Sequence, residues 1–196
     1  MTSYFNAWLD YQELYRPNKK YLVAFSPRLD RVPEELKCFF EDDINAFFKD
    51  YPKGKVLSII RDPKTWYISA RRHPYYKDRL DLQLAMALWK TSVETMLINK
   101  RRFGNQVYLL CFESLLEETE GTIRTLAKYL DLTFDESLLK PTFQGMDIRA
   151  NSVDRVEKRG IVRTPLNRAQ ELNQDEMAYI QAETQKIYET ALFAVG

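Results

Sequence analysis

Val56-Leu57-Ser58-Ile59-Ile60-Arg61-Asp62-Pro63-Lys64-Thr65-Trp66-Tyr67-Ile68-Ser69-Ala70-Arg71-Arg72 reads as a short strand running straight into a capped helix. Val56 to Ile60 is an almost wholly apolar run of strand length, the pattern of a strand covered on both faces. Asp62 is a favoured N-cap. Pro63 suits the first helical position, where its missing N–H would be unpaired anyway. A helix that starts at the carboxyl end of a parallel strand turns its free N–H groups and positive dipole end toward the crevice, which favours phosphate or sulfate there. Arg61 stands at the strand's end and Ser69 follows eight residues later. Asp62, Thr65, Trp66, Ser69 and His73 fall near one helical face by steps of three and four. An arginine and a hydroxyl can therefore converge on one anion. The alternative for the same residues is an exposed arginine and a small serine that packs a helix interface.

Outward from this stretch, helix and strand patterns alternate. Residues 4–15 repeat apolar groups at helical spacing, 21–25 form a second strand-length run, and 33–50 return to a helical period. Residues 82–102 predict a long helix with Leu82, Ala85, Met86, Trp89, Val93, Met96 and Leu97 as its core stripe, ending near Gly104. Residues 107–112 read as a third strand and 119–130 as an amphipathic helix. Asp135 caps a short helix before Pro141, and 142–172 shows little regular period. Asn173-Gln174-Asp175-Glu176 has the form of a capping box for a last helix. This order predicts an α/β protein, a parallel sheet flanked by helices, with residues 1–196 as a single domain.

The composition excludes several function classes. Twenty-nine basic residues against 28 acidic ones leave a net charge of +1, so nothing favours a nucleic-acid partner, and any anion site must be a local cluster. One histidine and two separated cysteines cannot supply a metal set. Cys38 and Cys111 lie in apolar surroundings and read as buried thiols of a reducing compartment, which with no membrane segment or signal-like N-terminus points to the cytoplasm. Of the six glycines, the closest two are fifteen residues apart, so no glycine-rich phosphate loop of the GxxxxGK[ST] or GxGxxG type occurs.

Further motifs follow in order: Phe112-Glu113-Ser114-Leu115, Thr142-Phe143-Gln144-Gly145-Met146 and Lys158-Arg159-Gly160. Together with Arg61-Asp62-Pro63 and Ser69, they resemble the sulfotransferase family, which moves a sulfuryl group from 3′-phosphoadenosine 5′-phosphosulfate (PAPS) to a hydroxyl-bearing acceptor. The resemblance covers roughly residues 21–190 and implies a sulfotransferase-like, P-loop nucleotide hydrolase-like fold. It also implies nucleotide-binding roles. Arg61 and Ser69 would hold the 3′-phosphate, Phe112 would stand where an adenine-contacting tyrosine often sits, and Lys158, Arg159 and Gly160 would form a loop closing over that phosphate. The co-substrate implied is PAPS, with 3′-phosphoadenosine 5′-phosphate (PAP) as product and no metal.

The chain departs from the family pattern in two places. The 5′-phosphosulfate loop is missing, so the first β-loop-α unit is expected to be absent, through N-terminal truncation or loss of activity, and the chain alone is expected to transfer sulfate feebly. A non-catalytic nucleotide- or protein-binding module of the same fold is the alternative. No histidine occupies the family's usual base position, which falls at Phe25-Ser26-Pro27; His73 is the one histidine available as a catalytic candidate, against its reading as a surface residue before a proline. The residues choose no acceptor among small alcohols, phenols, sugars and peptide tyrosines, and no oligomeric state.

Overall fold

In the computed structural model, which describes residues 37–74, 76, 79–143, 146–147 and 160–196, the quoted apolar run forms β1 (Val56–Ile60), and β2 (Val107–Cys111) lies beside it. The two run parallel, with Val56 opposite Val107 and Ile60 opposite Cys111. Parallel neighbours need a long crossover. Here α2 (Pro63–Arg72) and α3 (Leu82–Phe103) supply it. α1 (Lys37–Asp50) precedes β1, while α4 (Phe112–Glu117) and α5 (Thr119–Tyr129) follow β2. Short 3₁₀ turns occupy Glu136–Leu139 and Thr164–Glu171, and α6 (Gln174–Phe193) closes the chain. The described residues all fall within one compact unit, Val32–Gly196.

The apolar stripe of α3 organises the core. Trp89, Val93 and Met96 pack with Ile60, Val107 and Leu109 of the strands, Phe48 of α1 and Ala191 of α6. One end of the same helix turns Ala85 and Met86 toward Tyr67 and Ile68 of α2, Leu172, and Ile180 of α6. Trp66 borders both groups. Each large aliphatic chain buried here contributes about 1.5–3 kcal/mol.

β2 is buried at every position. β1 is not, and this corrects the expectation of a strand covered on both faces. Leu57 is 42% exposed and Ile59 51% exposed. Alternation explains the difference. Val56 and Ile60 pack into the core, whereas Leu57 and Ile59 share the opposite face. On that face the Tyr129 ring of α5 meets Tyr108 of β2, with centroids 4.7 Å apart. An apolar run states that a strand can be covered, not which face is.

Local signals placed the element ends well. α3 closes on Gly104, whose φ of 53° is in the left-handed region that glycine favours. His73 is extended (φ −68°, ψ 132°) ahead of Pro74, as a residue before proline should be. Asn173 and Glu176 form both halves of the capping box. The third strand, by contrast, stops at Cys111, and Phe112 opens a helix rather than ending the strand. The helix expected at 4–15 and the strand expected at 21–25 lie outside the described residues. Among those described, no helix is long and apolar enough to cross a membrane.

Candidate functional site

The parallel register brings the carboxyl ends of β1 and β2 side by side, and hydrogen bonds tie them. The Asp62 amide donates to Glu113 Oε1 at 3.1 Å, and the Cys111 thiol lies 3.4 Å from Glu113 Oε2. Asp62 caps α2, its carboxylate accepting from the Thr65 amide at 2.9 Å, with Pro63 at the first helical position. The Arg61 carbonyl is held by the Trp89 indole N–H at 3.1 Å. Backbone, cap and indole together fix the corner from which the Arg61 side chain leaves.

That side chain is half-buried. Arg61 Nε donates to Thr65 Oγ1 at 3.1 Å, and the guanidinium carbon sits 4.5 Å from the centre of the Phe112 ring. Arg61 Nη2 is buried and has no hydrogen-bond partner among the described residues. Burial draws the Arg61 pKa downward, Glu113 opposes this, Arg168 adds to it and Asp62 opposes it. A guanidinium nonetheless stays charged under ordinary conditions. An unpaired donor on a buried charge is costly, and Nη2 stands ready for an acceptor.

Ser69 sits two turns into α2. Its hydroxyl donates to the Thr65 carbonyl at 3.1 Å and accepts from Arg168 Nη1 at 2.7 Å. Arg168 is only 6% exposed and lies in the 3₁₀ segment Thr164–Glu171. Two ion pairs that follow Arg168 in sequence reach α2: Arg72 with Glu171 at the end of the segment at 2.5 Å, and Arg71 with Glu176 of α6 at 3.2 Å. Tyr188 of α6 meets Trp89 edge-on at 5.9 Å. Burial first, then the negative charge of Glu113, pushes its hydroxyl well above the usual tyrosine pKa, so it stays protonated.

Arg61 and Phe112 thus meet at the ends of the two strands, whereas Ser69, two turns along α2, is joined to Arg61 only through Thr65. Gly160 is half-buried with φ 82°, a left-handed conformation that suits glycine; Lys158 and Arg159 lie outside the described residues. His73 is exposed at the C-terminal end of α2, its ring 5.9 Å from that of Tyr76. The length of α2, about 15 Å for ten residues, separates it from Arg61. Thr65, Glu113 and Arg168 were given no role by sequence reasoning. The first two stand in motifs already quoted, and three-residue spacing from Asp62 marks Thr65. Nothing local marks Arg168. Among the described residues no group of three or more His, Cys, Asp or Glu could hold a metal ion.

Residues 14–136, well over half of the chain, match the sulfotransferase family. The chain belongs to that family. Two solved sulfotransferase domains share its fold. The domain from the Synechococcus PCC 7002 olefin synthase superposes with a TM-score of 0.55 at 18% identity, covering 86% of this chain and 72% of that one. The domain from the curacin biosynthetic pathway gives 0.50 at 13% identity over 67% of this chain. The chain spans about half (53%) of that second domain. At these identities the likeness is one of fold. No curated protein matches. Arg61, Ser69 and Phe112 fall inside the residues matched to the sulfotransferase family, while Gly160 and Arg168 fall beyond them.

Proposed function

We propose that this sulfotransferase uses PAPS as donor and a hydroxyl-bearing small molecule or glycan as acceptor, with the 3′-phosphate end of the donor held at Arg61. The observation that carries this reading is the buried, unpartnered Nη2 of Arg61 at the carboxyl end of paired parallel strands, beside the N-terminus of α2. When bound, PAPS supplies the sulfuryl group: its bond to the 5′-phosphate oxygen breaks, a bond to the acceptor oxygen forms, the acceptor's hydroxyl proton passes to water, and PAP leaves.

The chain's own residues do the positioning. Arg61 offers a charge-assisted hydrogen bond of the strongest ordinary kind. Thr65 fixes its Nε, and Phe112 backs its guanidinium while bordering the space for an adenine. Lys158, Arg159 and Gly160 would close over the phosphate from the following loop. His73, turned to Tyr76 at the far end of α2, is left out of this assignment. The buried free thiol of Cys111 supports a reducing compartment, the cytoplasm.

The test is calorimetric titration with PAP. The parent chain should bind, and Arg61→Ala should lose roughly ten- to a hundredfold in affinity, the worth of a hydrogen bond to a charged group. An Arg61→Ala chain that binds PAP as well as the parent would remove the assignment. Because no glycine-rich loop occurs in the 196 residues, slow turnover by this chain alone is expected. That same fact favours the second reading, a nucleotide-binding module without catalysis, for which PAP binding with no sulfuryl transfer at all is the mark.

A further inference from the structure

The peptide that joins Arg61 to Asp62 belongs to neither the strand nor the helix. The ladder of β1 ends with Ile60 opposite Cys111, and α2 takes its first backbone bond at the Asp62 carbonyl, which accepts from the Trp66 amide at 2.9 Å. The Arg61 carbonyl and the Asp62 amide, the two ends of one peptide plane, fall between. A half-buried peptide in that position finds its partners outside both elements. The Trp89 indole N–H of α3 donates to the Arg61 carbonyl at 3.1 Å, and the Asp62 amide donates to Glu113 Oε1 of α4, also at 3.1 Å. We infer that Trp89 and Glu113 are positioning residues of this sulfotransferase, a two-sided clamp on the Arg61–Asp62 peptide that sets where the Arg61 guanidinium stands. The inference rests on reading Arg61 as the residue that takes the 3′-phosphate.

Three observations support it. First, the Arg61 side chain is gripped from both sides of the joint. Thr65 Oγ1, in the first turn of α2, accepts from Nε at 3.1 Å, and the Phe112 ring, at the start of α4, lies 4.5 Å from the guanidinium carbon. Rotating the joint peptide changes ψ of Arg61 and φ of Asp62, the soft dihedrals there, and swings α2 and Thr65 away from Phe112. Second, each hand of the clamp is itself held. Trp89 is 4% exposed and packs with Ile60, Val93 and Met96, with the Tyr188 ring edge-on at 5.9 Å. The other oxygen of Glu113 lies 3.4 Å from the Cys111 thiol. A site keeps its geometry when the side chains that support it are locked in this way. Third, packing alone asks only for an aromatic ring at position 89, whereas the hydrogen bond asks for an indole. Glu113 also sets its negative charge against the downward pull of burial on the Arg61 pKa. As a counter-charge it competes with an incoming anion, and as a clamp it assists one, so the two roles move affinity in opposite directions.

The experiment measures, by calorimetry on the whole chain, the ratio of affinities for PAP and adenosine 5′-phosphate, which differ only at the 3′ position. Both nucleotides need the folded chain, so a loss of stability scales the two affinities alike and a merely structural role leaves the ratio unmoved. The parent should favour PAP. Trp89→Phe, which keeps a ring and removes the N–H, and Glu113→Ala should each cut that preference by roughly three- to tenfold, up to the worth of a neutral hydrogen bond. Glu113→Gln, which keeps an oxygen for the Asp62 amide and removes the charge, should match the parent's preference or exceed it. A parent-like preference in either Trp89→Phe or Glu113→Ala overturns the clamp, even where the urea midpoint has fallen. So does a loss in Glu113→Gln equal to that in Glu113→Ala. If one position does not tolerate its change, the other carries the test. A parent with no preference for PAP overturns the 3′-phosphate reading, and the inference with it.

Discussion

β1 with α2 and β2 with α4 are two copies of one device, a parallel five-residue strand feeding a helix, set in register with Ile60 opposite Cys111. They solve it differently. β1 is open on one face and leads into a ten-residue helix with a side-chain cap and a proline at its start. β2 is closed on both faces and leads into a six-residue helix with no side-chain cap. The first unit presents an arginine; the second supplies the ring and carboxylate that surround it. One strand is wholly buried and the other leads into the half-buried arginine, and the division follows from burial rather than from hydrophobicity.

The contrast predicts a ranking. Leu109→Ala in the closed strand should cost about 2–5 kcal/mol, read as a lowered midpoint in urea denaturation with the slope unchanged. A loss under 1 kcal/mol there would mean that β2 is not the closed strand. Asp62→Ala should cost about 1 kcal/mol through loss of the cap on α2, measured the same way. The entry to α4 has no such cap to lose. The smallest effect should be Ile59→Thr on the open face, within about 0.5 kcal/mol of the parent. A multi-kcal/mol loss at Ile59 would show that something covers that face in solution and would erase the difference between the strands.

Much of this was legible because it is local. Asp62-Pro63 and the Asn173–Glu176 box declare helix starts within four residues, and the stripe from Ala85 to Met96 declares a buried helix face. Arg61, Ser69 and Phe112 were legible as candidates because they stand in short motifs at fixed spacing. What was not legible depends on distant packing. Which face of β1 stays open is decided by packing from elsewhere in the chain, and Leu57 and Ile59 look no different in sequence from their covered neighbours. The helix at Phe112 has no cap to announce it. Arg168 reaches Ser69 across 99 residues of chain, from a stretch with no period, so the contact exists only once the 3₁₀ segment is laid on α2. Ser69 was legible as a polar residue in the right place; that its hydroxyl is occupied on both sides was not.

The indole of Trp89 hydrogen-bonds the backbone of the very residue whose guanidinium is proposed to take the ligand, with the Tyr188 ring at its edge. The molecule therefore carries its own optical reporter. An anion that draws on the Arg61 side chain alters the charge felt by an excited indole one peptide carbonyl away. Occupancy of the site becomes visible as a change in ultraviolet emission, without a label.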